Sequence, residues 1–356
     1  MNKDKIDIGF IGCGAHATRS IYPCLRYAPI NLVATCDLVE ERAQANARTF
    51  GAQRFYTDYR AMMDQEDLDA IFVVGGPDLH AEAAIEAMQR GLHVFMEKPP
   101  ARTVESTREV CRVSQETGKW VMVAFKKRFC PTYLKAKEIT ASLEFGRPMA
   151  IHVRLGLWLD KERLEAQAGQ DAKPDEARFY QLLLDYYIHH FDLLRFLLGD
   201  VDRLYFQRNV GSQRPNYAAT LTFRNGAIGT LLFFGAQSPH SFQERLEICG
   251  EGANVVVDNV ARLTYYRRSA SRPMESFISA TDEAPVIWEP AFSLSQVRNK
   301  VLFIGGFAGE VQHFAQSLLA GQPPTSDIWD GLEAVRLVEA ISGQSGEVIV
   351  KKELEE

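Results

Sequence analysis

Residues 6–17 read IDIGFIGCGAHA. Ile6 to Ile11 is an apolar, partly β-branched run with the texture of a buried strand. Gly12-Cys13-Gly14-Ala15-His16-Ala17 follows at once, a G-x-G-x-x-A turn that opens a segment of helical spacing over residues 15–28. Gly12 permits the tight turn, Gly14 lets a phosphate approach the backbone, and the small Ala17 allows helix and strand to pack closely. Ala15 and His16 stand at the helix start, where free N–H groups and the helix dipole favour anions such as a pyrophosphate. A second apolar run, Leu32 to Cys36, ends on Asp37, about 20 residues beyond Ala17. A carboxylate there accepts hydrogen bonds from the ribose hydroxyls of a dinucleotide and repels a 2′-phosphate. The stretch therefore points to NAD ahead of NADP.

The same alternation continues outward. Residues 70–74, 92–96 and 120–125 read as strands, and 40–50, 79–90 and 103–117 as helices. Strands that are nearly continuous in apolar residues fit a parallel sheet covered on both faces. Beyond residue 125 the texture changes. A helix over 131–142 leads into period-two alternation over 149–159. Residues 203–210, 217–223, 227–234, 245–248, 254–258 and 263–266 read as strands, and Asn225-Gly226 as a hairpin turn. Helices over 309–319 and 330–341 close the chain. The fold class is α/β: an N-terminal Rossmann domain with a doubly wound parallel sheet (1–125), then an α+β domain with an open, largely antiparallel sheet (126–356). Residues 160–176 and 269–295 read as loops, and the polar 160–176 stretch as a lid.

Composition narrows the function classes. The chain has 356 residues, 46% of them apolar and 24% charged, with a net charge of −6. That is globular and two-domain in size, with no electrostatic case for a nucleic-acid or anionic-membrane partner. None of the six cysteines forms a C-x-x-C pair, so neither a zinc ribbon nor a redox motif is expected. Signal-type and membrane-spanning apolar runs are not seen, which reads as a cytoplasmic protein.

Two further constellations carry chemistry. Glu97-Lys98-Pro99-Pro100 follows the 92–96 strand. In open α/β sheets, ligands sit beyond the carboxyl ends of strands, so Lys98 projects towards a cofactor's reactive end. Pro99 restrains the backbone that carries the lysine. The second constellation is Asp185, His189 and Asp192, at i, i+4 and i+7 of an apolar helical segment. An Asp one turn before a His can hold its imidazole or share its pocket, as an acid–base pair requires. A metal site is not expected, because no third ligand of clear spacing accompanies them.

In this order, the glycine turn, the strand-end Glu97-Lys98-Pro99 and the Asp185–His189–Asp192 helix resemble the glucose–fructose oxidoreductase and inositol dehydrogenase family (Gfo/Idh/MocA). Gly76-Pro77-Asp78-Leu79-His80 resembles the family's P-x-x-H segment, and Phe125-Lys126-Lys127-Arg128-Phe129 its linking F-x-x-R-F. The resemblance implies cofactor contacts at Gly12, Gly14, Asp37, Gly76, Pro77, His80 and Glu97. It implies a catalytic set of Lys98, Asp185 and His189. Lys126 and Trp158 are then expected in the substrate pocket, with a homodimer or homotetramer formed through the C-terminal sheet. Gln181-Leu182-Leu183 and Tyr187 stand where the family often has glycines, and Pro100 where leucine is commoner. The expected activity is NAD-dependent hydride transfer to or from a hydroxyl-bearing carbon of a sugar or polyol. The alternatives are an NAD-dependent redox-neutral glycosidase and a non-catalytic nucleotide or sugar sensor.

Overall fold

The computed structural model describes residues 3–157, 179–209, 216–235, 237–238, 240–241, 243–268, 285–293, 299–342 and 346–350. Trp158 and the 160–176 stretch lie outside the described residues, as does most of 269–295.

The chain forms two compact units, neither continuous in sequence. The first takes residues 1–129 together with 184–192 and 305–339, and the second takes the rest. A single cut at 125/126 does not express this arrangement, because two later segments return to the first unit.

In the first unit, β1 (Ile6–Ile11), β2 (Ile30–Cys36), β3 (Arg54–Tyr56), β4 (Ala70–Val73), β5 (His93–Met96) and β6 (Val121–Val123) pair in the order β3-β2-β1-β4-β5-β6. Every pairing is parallel. The order reverses at β1, so the crevice between the ends of β1 and β4 is the topological switch point. All four residues of β4 are buried, which is why its sequence shows no polar alternation. Helix Glu40–Phe50 ends where the sequence puts it, at Gly51 with φ +87°. Helix Val104–Thr117 is opened by a capping box between Thr103 and Ser106. The continuous helix expected over 15–28 is instead a π-helical turn, Ala17–Ile21, followed by a short α-helix, Tyr22–Leu25. Strand β3 and helix Tyr59–Gln65 were not legible; each is too short to set up a period.

The second unit is built on a sheet of β7 (Ala150–Gly156), β8 (Val201–Arg208), β9 (Asn216–Phe223), β10 (Ile228–Phe234), β11 (Gln243–Cys249), β12 (Asn254–Asp258), β13 (Arg262–Tyr266), β14 (Val286–Trp288) and β15 (Gly346–Ile349). Their order is β14-β13-β12-β11-β7-β10-β9-β8-β15. The pairings are antiparallel except β7 with β10, so the sheet is mixed. The hairpin at Asn225-Gly226 forms as expected, with Gly226 at φ +86°. Leu204, Phe206, Leu221, Leu231, Val153 and Leu246 bury one face, while Tyr205, Ile228 and their pleat neighbours leave the other open. Strands β14 and β15 were not anticipated; β14 lies inside a stretch read as a loop.

Candidate functional site

The glycine turn is closed to a side chain at Gly12 and open at Gly14. Gly12 has φ +100°, and a Cβ there would lie 2.0 Å from the carbonyl oxygen of Val74. At Gly14 a Cβ would meet nothing within 4 Å, so the backbone stands open towards a ligand. Asp37 braces the turn from the end of β2. Its Oδ2 accepts from the Cys13 N–H at 2.7 Å, and its Oδ1 from the Val39 N–H at 2.9 Å. These features fit a dinucleotide: an open, glycine-lined turn at the switch point, with a carboxylate on its β2 side. Ala15 and His16 are exposed at the same turn.

On the other side of β1, the ends of β4 and β5 are tied together by His80. This residue is fully buried. Its Nδ1–H donates to the carbonyl of Pro99 at 2.8 Å, and its Nε2 accepts from the Gly75 N–H at 3.0 Å. The two bonds fix one neutral tautomer. Burial holds the imidazole pKa below the ordinary value, against the Pro99 bond and the charge of Glu97. Both nitrogens of His80 thus bond to protein, one on each side of the gap between the ends of β4 and β5. The Lys98–Pro99 peptide bond is cis. Pro100 is buried against Gly331, where a Cβ would come within 3.0 Å of the proline ring.

Glu97 is buried and ionised. Burial alone would raise its pKa, but the His16 hydrogen bond, then the nearby His16 and the Lys98 charge, bring it below the usual carboxylate value. Its Oε1 lies 2.9 Å from His16 Nε2, and its Oε2 accepts from the Lys98 N–H at 3.1 Å. The next residue reaches the other way: Lys98 Nζ donates to the backbone carbonyl of Asp185 at 2.8 Å and sits 3.7 Å from Asp185 Oδ1.

Asp185 lies in a second π-helical turn, Leu183–Tyr187, which runs into helix Ile188–Leu198. The i→i+5 bonding of a π turn shifts the register assumed from α-helical spacing. The structure therefore brings Asp185 to Lys98, with no hydrogen bond to His189. His189 is buried, its ring edge-on to Phe125 at 6.2 Å between centroids, and its Nδ1 has no hydrogen-bond partner. Burial first, then the charges of Lys98, Lys126, Lys127 and His190, hold its pKa well below 6.5. A neutral imidazole among cationic groups is a proton acceptor that is free at any ordinary pH.

The third member of the helical triplet has another role. Asp192 is fully buried and takes a bidentate ion pair from Arg128, at 2.8 and 2.6 Å. Arg128 reaches Asp330 Oδ2 at 2.8 Å as well. This clamp fixes the His189 helix to the Lys126–Phe129 turn. Lys126 Nζ sits 4.1 Å over the ring of Phe307. Sequence reasoning missed Arg128 as the partner of Asp192, since the two are far apart in the chain. Tyr187, Leu182 and Leu183, bulky where the family often has glycines, are buried in the core. Among the described residues no cluster of metal-ligating side chains occurs, and no helix is long and apolar enough to cross a membrane.

Comparison with known proteins agrees with this geometry. Residues 6–125 match an oxidoreductase family's NAD-binding Rossmann fold, and residues 143–347 match its C-terminal α/β domain. The chain is similar to inositol 2-dehydrogenase from Salmonella typhimurium, 25% identical over 320 residues, 87% of this chain and 85% of that protein. A dehydrogenase from Chromobacterium violaceum has the same fold, with a TM-score of 0.82 at 24% identity over 95% of this chain and 94% of that one. So does a levoglucosan dehydrogenase solved with NADH and levoglucosan, with a TM-score of 0.81 at 20% identity over 98% and 100% of the two chains. The chain belongs to the Gfo/Idh/MocA family of oxidoreductases and carries that family's NAD-binding Rossmann domain.

Proposed function

We propose that this protein is an NAD-dependent dehydrogenase of a sugar, polyol or related hydroxylated small molecule. The observation that carries the reading is the set formed by Lys98, Asp185 and the neutral, buried His189 in the unit that holds the glycine turn. The names of the relatives, inositol 2-dehydrogenase and levoglucosan dehydrogenase, support the substrate class. Bound NAD supplies the hydride acceptor. In the oxidation direction His189 accepts the hydroxyl proton as general base. Lys98 hydrogen-bonds the reacting oxygen and stabilises its developing negative charge. Asp185 orients the Lys98 ammonium and is placed to bind a neighbouring hydroxyl. In the reverse direction His189 returns the proton. Lys126 belongs to the substrate side of this reading, as does Trp158, which lies outside the described residues. The open face of the second sheet, with Tyr205 and Ile228 exposed, is the proposed homo-oligomer surface.

The test is NADH formation across inositols, free sugars, sugar acids and glycosides, with Lys98→Ala as control. Turnover that vanishes in the control supports the reading. Turnover that survives in Lys98→Ala removes Lys98 from it, and hydrolysis of a glycoside without net NADH would replace it with redox-neutral chemistry. Cofactor choice has its own measurement. At 100 times Kd, NAD should stabilise the fold by about 2.7 kcal/mol. Better thermal protection by NADP would overturn the role given to Asp37.

A further inference from the structure

Helix Phe307–Ala320 carries an acid in an apolar setting. Glu310 is fully buried, as are Ala308, Val311 and Phe314 of the same helix, and neither of its carboxyl oxygens has a hydrogen-bond partner. An ionised carboxylate in such a place costs far more than a neutral acid. The charged and titratable groups within its reach come from three other elements. They are Glu97 at the end of β5, Lys126 in the Lys126–Phe129 turn, and the Cys24 thiol of the first helix. One turn along its own helix, His313 is occupied by Thr325, whose N–H donates to its Nε2 at 2.9 Å. Glu97 is the ionised member of this cluster, since His16 and the Lys98 N–H hold its oxygens. Two buried carboxyls that feel each other's charge resist ionising together. Burial first, then the charge of Glu97, push the Glu310 carboxyl well above its ordinary range, against the opposite pull of Lys126.

The place of this pair in the sheet matters. Asp37, at the end of β2, marks the adenosine side of the switch point, so the nicotinamide end of a dinucleotide lies over β4 and β5. Glu97 stands at the end of β5. An oxidised nicotinamide ring is a cation and a reduced one is neutral. We propose that Glu310 is a positioning acid that keeps its proton while the cofactor is absent or reduced, and releases it when the oxidised, cationic dinucleotide binds. The inference rests on the NAD-dependent reading above. The step breaks only the Glu310 O–H bond: the electron pair stays on the carboxylate and the proton goes to solvent. Binding of NAD+ then tightens as pH rises, whereas binding of NADH does not. Reduction of the bound cofactor draws the proton back.

The experiment is titration calorimetry of NAD+ and of NADH into the full-length protein and into Glu310→Gln. It is run in two buffers of different ionisation enthalpy between about pH 6 and about pH 9. In the wild type we expect proton release with NAD+ and none with NADH, and an NAD+ Kd that tightens by up to about tenfold per pH unit. In Glu310→Gln the NAD+ slope should disappear while NADH binds as before. Equal proton release with both cofactors in the wild type would overturn the proposal, and that comparison needs no variant. So would a Glu310→Gln protein that releases the same protons as the wild type. Failure of either cofactor to bind at any pH would overturn the NAD-dependent reading itself, and this inference with it.

Discussion

The turn after β5 and the helix that follows Leu183 treat a buried histidine in opposite ways. His80 spends both ring nitrogens on backbone groups, Pro99 O and Gly75 N–H. His189 is buried too, yet its Nδ1 bonds to nothing. A buried polar group with all its bonds made is scaffold, because losing it strands its partners. One left unmade costs about 1–3 kcal/mol. A fold retains that cost where the group has work to do with a molecule that comes and goes. The contrast separates a ring held between two backbone groups from the one proposed to meet substrate, although both are histidines in the same unit.

The comparison predicts opposite phenotypes. His189→Ala should lower turnover by about 10²–10⁴-fold while leaving the dinucleotide Kd nearly unchanged. A large loss of cofactor affinity in that variant would break the distinction. Arg128→Ala should cost about 3–5 kcal/mol in denaturant unfolding, because the buried Asp192 would lose its bidentate guanidinium. Arg128→Met combined with Asp192→Leu should cost much less than the sum, and full additivity would deny the clamp. His80→Ala should cost about 1–3 kcal/mol, by stranding the buried Pro99 carbonyl, and should weaken cofactor binding as the Lys98 turn loosens. If it behaved like His189→Ala, with stability intact, the scaffold role would be wrong.

The smallest effect is on pH dependence. Both imidazoles have folded pKa values below 6.5, so the unfolded chain binds protons that the folded chain refuses. The sign follows: stability is flat above about pH 6.5 and falls as pH drops below it, by at most about 1.4 kcal/mol per pH unit for each histidine. Urea unfolding across that range would measure the slope, and His80→Gln should reduce it. For the same reason, kcat/KM should show no acid limb near pH 6.5 from His189. A limb there that vanished in His189→Gln would contradict the burial of that ring.

What the sequence revealed and what it hid divide along one physical line. β1, helix Glu40–Phe50 and helix Val104–Thr117 were legible because each carries its signal locally, in period or glycine. The glycine turn and Asp37 were legible for the same reason. The two places where helical spacing misled were Ala17–Ile21 and Leu183–Tyr187, both π turns, where an assumed i, i+4 register places side chains wrongly. That is why Asp185 was assigned to His189 when its partner is Lys98. The Arg128–Asp192 clamp and the isolation of Glu310 depend on residues far apart in sequence, and no local window holds them. One trace of Glu310 was present: an acid followed by Val311 and Phe314, on the face a helix normally fills with apolar residues.

The discontinuity of the first unit has a consequence for how the chain is made. Its sheet is finished by residue 123, but its packing includes Leu184–Asp192 and Gly305–Glu339. A nascent chain can therefore form the parallel sheet early and still lack the helix bearing His189 and the helix bearing Glu310. Contacts this distant in sequence form slowly, and apolar surface stays uncovered while they wait. Lys98 can meet Asp185 only after about half of the chain has been made, and Glu310 comes later still. The order of synthesis thus delays both the Lys98–Asp185 contact and the Glu310 helix until well after the parallel sheet is complete.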